Sequence, residues 1–298
     1  SFLGGHRLCN LLGGTMLSFY EWYHDLPHVM PMMWGDQTDV HESADWYQST
    51  YWMVIGSNLP MTRTADAHFA SEHKYNGGKI VNLAPNYSDV TKFADLWVPV
   101  RPGTDTAFLL ACIHVILKEF YVDRQVPYFR DYIKKYTNLP FLVILEPQPD
   151  GSYLKGRFLR ASDVAGYEGE ELAEWKLLMM DRWGGEFRLP GGSVGFRWET
   201  GKSGRWNLKA EDVTTGAAFD PMLSFLEAEA GSREEVRVRF ADFTDTFDTT
   251  LGATEGKGRR SRTLIRGVPA RRVQARSGEI FVTTAFDLLM AQMGVSRG

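Results

Sequence analysis

The sequence predicts an α/β fold: a Rossmann-like, twisted parallel sheet with helices on both faces, joined to a β-rich insertion. Three observations carry that expectation. Between residues 50 and 147, short apolar, β-branched runs alternate with helix-like stretches. Each of the first three runs ends in a cluster of turn-forming residues. From about Gln148 the pattern changes to short segments rich in Gly, Trp and Arg, as antiparallel strands have.

Taken in order, TYWMVIG suits a buried parallel strand ending at Gly56, and SNLPMTRTADAHFASEHKY turns and enters a helix. After Gly77-Gly78 comes a second strand, KIVNLAP, and Ser88 with Asp89 caps a short helix, SDVTKFAD. A third strand, LWVPV, meets Pro102-Gly103, and Thr104 with Asp105 opens an amphipathic helix to about Tyr121. A further helix, VPYFRDYIKKYT, leads to a fourth strand, FLVILE. Right-handed crossovers would then build one parallel sheet from all four. Beyond it, GSYLKGRFL, EWKLLMM, GEFRLPGGSVGFRW, GRWNL and EVRVRF read as the insertion, and 245–262 is polar enough to be mobile. IFVTTAFDLLMAQMGV reads as a strand entering a helix. The expected division is 1–49 as a loop region, 50–147 as the α/β domain, 148–278 as the β-rich insertion, and 279–298 returning to the main domain.

The 298 residues are 44% hydrophobic and 23% charged, enough for a sizeable core, and the net charge of −4 gives no reason to expect a nucleic-acid partner. The basic set Lys257, Arg259, Arg260, Arg262, Arg266, Arg271, Arg272 and Arg276 lacks interleaved aromatics for base stacking, so a solvated loop or a subunit-facing surface is expected there. Cys9 and Cys112 offer neither a disulfide framework nor a four-cysteine metal site, which fits a reduced, cytoplasmic setting. The longest apolar run, Phe108 to Leu117, is too short to span a bilayer. The opening SFLGGHRLCNLLGG reads like the interior of a domain, so a portion of a longer polypeptide is expected.

In an open α/β sheet, ligands bind beyond the carboxyl ends of the strands. That points to Gly56-Ser57-Asn58, Pro85-Asn86 and Pro102-Gly103-Thr104-Asp105, three polar turn clusters at one sheet edge, and to a nucleotide-like ligand. The stretch 19–47, FYEWYHDLPHVMPMMWGDQTDVHESADWY, has no sustained period and mixes aromatics with His24, Asp25, His28, Asp36, Asp39 and His41. It reads as a structured loop around something. By spacing alone, His24, Asp25, His28, His41 and Glu42 could hold Zn or Fe, or the histidines could be hydrogen-bonded loop residues; Pro27 argues against a helix that would align His24 and His28.

The runs LLGGTMLSFYEWYHDLP, WGDQTDVHESADWY, GSNLPMTRTADAHF and ADLWVPVRPGTDTA, with GSVGFRW and VTTAFDLLMAQMGVSRG, carry a resemblance. Over essentially its whole length the chain resembles an internal portion of the catalytic alpha subunits of respiratory nitrate reductases. These lie within the dimethyl sulfoxide reductase family of molybdopterin oxidoreductases, whose fold the resemblance implies. It further implies a bis-molybdopterin guanine dinucleotide cofactor with Mo, and reduction of nitrate to nitrite by oxygen-atom transfer in nitrate respiration or assimilation. Asp25 matches the molybdenum ligand, a hard carboxylate donor for a hard metal, and Tyr23 would orient it or line the substrate funnel. Gly56, Ser57 and Asn58 match the turn that approaches the nucleotide, with Thr62 and Thr64 supplying hydroxyls near a helix start suited to anions. Gly103 and Thr104 belong to the same turn as Asp105, which matches the guanine contact. Asn86 stands where many relatives have Asp.

The resemblance also implies a [4Fe-4S] cluster in the parent, whose cysteine ligands have no counterpart in this chain. It implies an iron–sulfur beta subunit, a cytochrome b gamma subunit in the membrane, and a peripheral position at the cytoplasmic face of the inner membrane. A chain holding only part of the cofactor cage is expected to be inactive alone. Two rivals remain: a nitrite oxidoreductase of the same family, and a nucleotide-binding module without metal.

Overall fold

The computed structural model describes residues 2–14, 43–191, 209–229, 231–241 and 263–295. By compactness the chain divides into Ser1–Gln48 and Ser49–Gly298. In the first unit, helix α1 (Phe2–Leu11) ends in a turn that returns the Gly14 N–H to the Cys9 carbonyl at 2.9 Å, and Ser43–Gln48 forms a 3-10 helix.

In the second unit, β1 (Tyr51–Ile55) leads through a single helical turn, α2 (Leu59–Thr62), to α3 (Ala67–Tyr75). Strand β2 (Lys79–Leu83) follows, and then β3 (Leu96–Val98). The three strands form one parallel sheet in the order β1-β2-β3. Apolar β2, buried from Ile80 to Leu83, takes the centre. One face is covered: Trp52 stacks on His73 of α3 with ring centroids 4.4 Å apart, and Asn82 donates to Thr91 at 2.8 Å. On β1 alternate side chains, Tyr51, Met53 and Ile55, stay exposed. The expected buried strand is therefore a half-open edge. The opening edge of the sheet is tied by Asp95, which accepts from Lys74 and from the Ile80 N–H. Lys74 first, then that N–H, hold the Asp95 carboxyl down at about 2.

Helix α4 (Asp105–Ile116) runs on through a π-helical stretch, Leu117–Asp123, and α5 (Pro127–Tyr136) follows. The expected fourth parallel strand is corrected here. Strand β4 (Leu142–Pro147) pairs antiparallel with β5 (Tyr153–Phe158). Past two short antiparallel pairs, β6 (Met179–Met180) with β7 (Phe187–Arg188) and β8 (Pro190–Gly191) with β9 (Lys209–Asp212), come β10 (Glu234–Ala241), β11 (Thr263–Ala275) and β12 (Gly278–Thr284). Strands β10-β11-β12-β4-β5 close into a barrel, with β5 and β10 its parallel pair. Closure removes the free edges that an open sheet leaves. Its packing is apolar: Val143, Leu145, Val238, Phe240 and Val268 pack together under Leu288 of the last helix, α6 (Ala285–Met293).

Helix α6 is fixed at its start. The Thr284 hydroxyl accepts from the Asp287 N–H at 3.0 Å, an N-terminal cap. The fully buried Asp287 carboxylate accepts from the Ser224 hydroxyl at 2.5 Å and the Phe225 N–H at 2.9 Å. Burial, above all, pushes that carboxyl up to about 7. Phe286, Met290 and Val295 pack against Leu117, Tyr121 and Ile133, and so join the helices after the sheet to the barrel.

Of the basic set, Arg266, Arg271, Arg272 and Arg276 lie on or just after β11 rather than in a loop. Arg272 pairs with Glu234 and Glu279, Arg276 with Glu168, and Arg271 donates to the Gly185 carbonyl. Lys257, Arg259, Arg260 and Arg262, with all of 245–262, lie outside the described residues.

Candidate functional site

Parallel register decides where the turn clusters meet. Ile55 pairs with Leu83, and Leu83 with Val98, so all three strands end at one edge of the sheet. The edge is stitched by the Gly56 N–H to the Leu83 carbonyl at 2.9 Å and the Ala84 N–H to the Val98 carbonyl at 3.3 Å. Gly56, Ser57 and Asn58 follow the first strand, Asn86 the second, and Gly103, Thr104 and Asp105 the third.

Gly56 and Gly103 have φ of 64° and 81°, left-handed values that glycine adopts freely, and an added Cβ at either would meet nothing within 4 Å. A ligand can therefore approach the backbone there. Asn58 is engaged locally: its Oδ1 accepts from the Val90 N–H at 3.2 Å and its Nδ2 donates to Asp89 at 3.3 Å. It holds the first turn against the second. The Thr62 hydroxyl donates to the Asn58 carbonyl and the Thr64 hydroxyl to the Pro60 carbonyl, which leaves their lone pairs free to accept. Since α2 is one turn long and contains Pro60, the expected helix start offers few N–H groups to an anion.

Asp105 is the first residue of α4, and Thr104 donates to the Arg101 carbonyl at 2.6 Å instead of capping the helix. Among the described residues no hydrogen bond or ion pair engages the exposed Asp105 carboxylate. The contrast with Asp95 is chemical: one carboxylate is neutralised by Lys74, the other is an open acceptor. Asn86 is exposed at the same edge. Deeper in, Asn82 Oδ1 and Ser88 Oγ are buried without a hydrogen-bond partner among the described residues.

The sequence reading passed over two aromatic rings here. Tyr87, directly after Asn86, meets Trp97 of β3 edge-on, centroids 5.2 Å apart at 84°, and Trp97 Nε1 donates to the Ala84 carbonyl at 2.9 Å. An aromatic inside a polar turn cluster was the available signal. Tyr23 and Asp25 lie outside the described residues, as do His24, His28, Asp36, Asp39 and His41. Among the described residues no three of His, Cys, Asp or Glu gather as a metal-binding group, and no helix is long and apolar enough to cross a membrane.

Comparison with known proteins bears on what this edge serves. The chain is 44% identical over 305 residues to the respiratory nitrate reductase 1 alpha chain of Escherichia coli (strain K12), covering 100% of this chain and 23% of that protein. To the nitrate reductase alpha chain of Bacillus subtilis (strain 168) it is 41% identical over 299 residues, again 100% and 23%. To the nitrate reductase alpha subunit of Mycobacterium tuberculosis (strain ATCC 25618 / H37Rv) it is 43% identical over 297 residues, 100% of this chain and 22% of that one. The chain thus spans less than a quarter of these relatives' length. A family model for molybdopterin oxidoreductases matches residues 1–289. By that match the chain belongs to the molybdopterin oxidoreductase family, membership that implies a molybdenum–pterin cofactor.

Proposed function

We propose that this chain is a portion of the catalytic alpha subunit of a molybdenum-dependent nitrate reductase, reducing nitrate to nitrite by oxygen-atom transfer. The observation that carries the reading is 44% identity, across the whole chain, to a protein named respiratory nitrate reductase 1 alpha chain. The cofactor is read as bis-molybdopterin guanine dinucleotide.

The residues at the sheet edge fit one nucleotide end of such a group. The open backbone at Gly56 and Gly103 admits a polar chain of atoms, and the unpartnered Asp105 carboxylate can accept from guanine N1–H and N2–H together. Adenine offers no such pair of donors, so Asp105 would select the base. The backbone of Ser57, the lone pairs of Thr62 and Thr64, the side chain of Asn86 and the Thr104 turn would line the same path, with Asn58 holding its shape.

When bound, the molybdenum centre supplies the electron pair and the position at which an oxygen atom leaves nitrate. Asp25 would hold the metal through a carboxylate oxygen that can shift to open a position for substrate, and Tyr23 would orient that carboxylate or line the approach. The four-part division is kept as a proposal, with strands 142–147 and 278–284 assigned to the barrel side. For the parent protein we further propose a [4Fe-4S] cluster held outside this chain, an iron–sulfur beta subunit, a membrane cytochrome b gamma subunit, and a peripheral place at the cytoplasmic face of the inner membrane. Family membership weighs against a metal-free nucleotide-binding module. Nitrite oxidation differs from this reading only in direction.

The test is metal and pterin analysis of the parent protein purified anaerobically, beside its Asp25→Ala variant, with nitrate-dependent oxidation of a reduced viologen as readout. Molybdenum and turnover in the parent, with turnover lost in the variant, are expected. A properly matured parent without molybdenum would end the proposal.

A further inference from the structure

We infer that Tyr87, seated against Trp97 at the carboxyl edge of the sheet, is the stacking surface for the guanine ring, beside the Asp105 carboxylate that reads the ring's N–H donors. The inference rests on the proposed function and adds to it a residue that the motif resemblance does not assign.

Tyr87 is 67% exposed, yet its ring is not loosely held. It meets Trp97 edge-on at 5.2 Å, one of the two favoured aromatic geometries. Trp97 is itself fixed by its hydrogen bond to the Ala84 carbonyl and by its place opposite Asn82 in the sheet. An aromatic ring that is oriented by its neighbour and open to solvent is built like a platform. Its sequence neighbours Asn86, Ser88 and Asp89 are polar, which a ring meant for an apolar interior would not need.

Topology puts the platform and the reader at one edge of the sheet. Tyr87 follows the central strand, Asp105 follows the adjacent strand, and the paired ends Leu83 and Val98 put both turns at one edge. The two groups have complementary tasks. A carboxylate discriminates guanine by its N–H edge but cannot hold a flat ring, whereas stacking holds any base and discriminates little. The Tyr87 hydroxyl makes no hydrogen bond among the described residues, so the ring and not the hydroxyl is the working part.

The experiment uses the full-length parent, matured with its cofactor, as wild type and as Tyr87→Ala, Tyr87→Leu and Tyr87→Phe. Molybdenum and the guanosine monophosphate released by acid hydrolysis are quantified before and after a timed gel filtration, and thermal unfolding is recorded for each. The Ala and Leu variants should lose bound guanine nucleotide about tenfold faster than wild type, a change within the range that base–aromatic stacking supplies. Phe should behave as wild type, with unfolding temperatures unchanged throughout. Retention by the Leu variant equal to wild type would overturn the inference while leaving the proposed function intact. So would a Phe variant as leaky as Ala, which would assign the role to the hydroxyl. A wild-type parent holding molybdenum but no guanine nucleotide would remove both the guanine reading and this inference.

Discussion

The parallel sheet and the barrel are built from similar apolar runs and differ in closure. In the barrel, Leu142, Val238, Val268 and Val282 are wholly buried, because every strand has two neighbours. In the sheet, among the described residues, only the central strand does, and Tyr51, Met53, Ile55 and Leu96 remain exposed on the outer strands. The barrel is thus closed on itself, whereas the sheet stays open at the edge where its turn clusters meet, the edge proposed to hold a nucleotide. Polar groups follow the same division. Asp287 in the barrel region is saturated with donors, while Asp105 at the sheet edge has none among the described residues.

If the barrel side carries the stability, its deletions should be the most costly. Phe286 is wholly buried and packs on Tyr121 with centroids 4.6 Å apart. Phe286→Ala should cost about 3–5 kcal/mol in urea unfolding. A loss under about 1 kcal/mol would mean that the helix α6 junction is not part of the stabilising core.

The next effect is smaller and depends on pH. Because burial raises the Asp287 carboxyl from 3.8 to about 7, the folded state holds that proton more tightly than the unfolded state does. Asp287 therefore costs nothing below about pH 4, its penalty grows as pH rises through its folded value, and it levels off above that. Asp287→Asn removes this slope. Between pH 4 and 7.5 the wild type should lose roughly 3–4 kcal/mol of unfolding free energy relative to the variant. A pH-independent difference would show that Asp287 is charged throughout.

At the sheet edge, Asn58→Ala deletes two hydrogen bonds to the 89–90 turn and should cost about 1 kcal/mol. Amide exchange should quicken at 89–93 and stay unchanged in the barrel strands. Equal acceleration in both would join the two regions into one cooperative unit. Met53→Thr, on the exposed side of β1, should lie within about 0.5 kcal/mol of wild type.

The sequence carried the sheet better than the barrel. Runs 50–56 and 79–85 are short, β-branched and ended by Gly or Pro, so strand and turn were both legible. FLVILE looks the same whether it adds to a parallel sheet or faces a barrel interior, since both bury it. Its partner β12 begins at Gly278, far beyond any local pattern. At the site, the turn residues could be read because Gly, Pro, Asn and Asp have local reasons to be there. Two features depend on tertiary pairing: the Asn58–Asp89 contact, 31 residues apart, and the seating of Tyr87 on Trp97. Periodicity contains neither.

The central claim, that the open edge of the sheet holds the guanine end of the cofactor while the barrel only supports it, is tested most directly on the full-length parent. Guanosine monophosphate released per molybdenum would be measured in wild type, in Asp105→Asn, and in Arg272→Gln on the barrel surface. The account predicts a clear fall in guanine content for Asp105→Asn alone. Unchanged content in that variant, or an equal fall in Arg272→Gln, would contradict it.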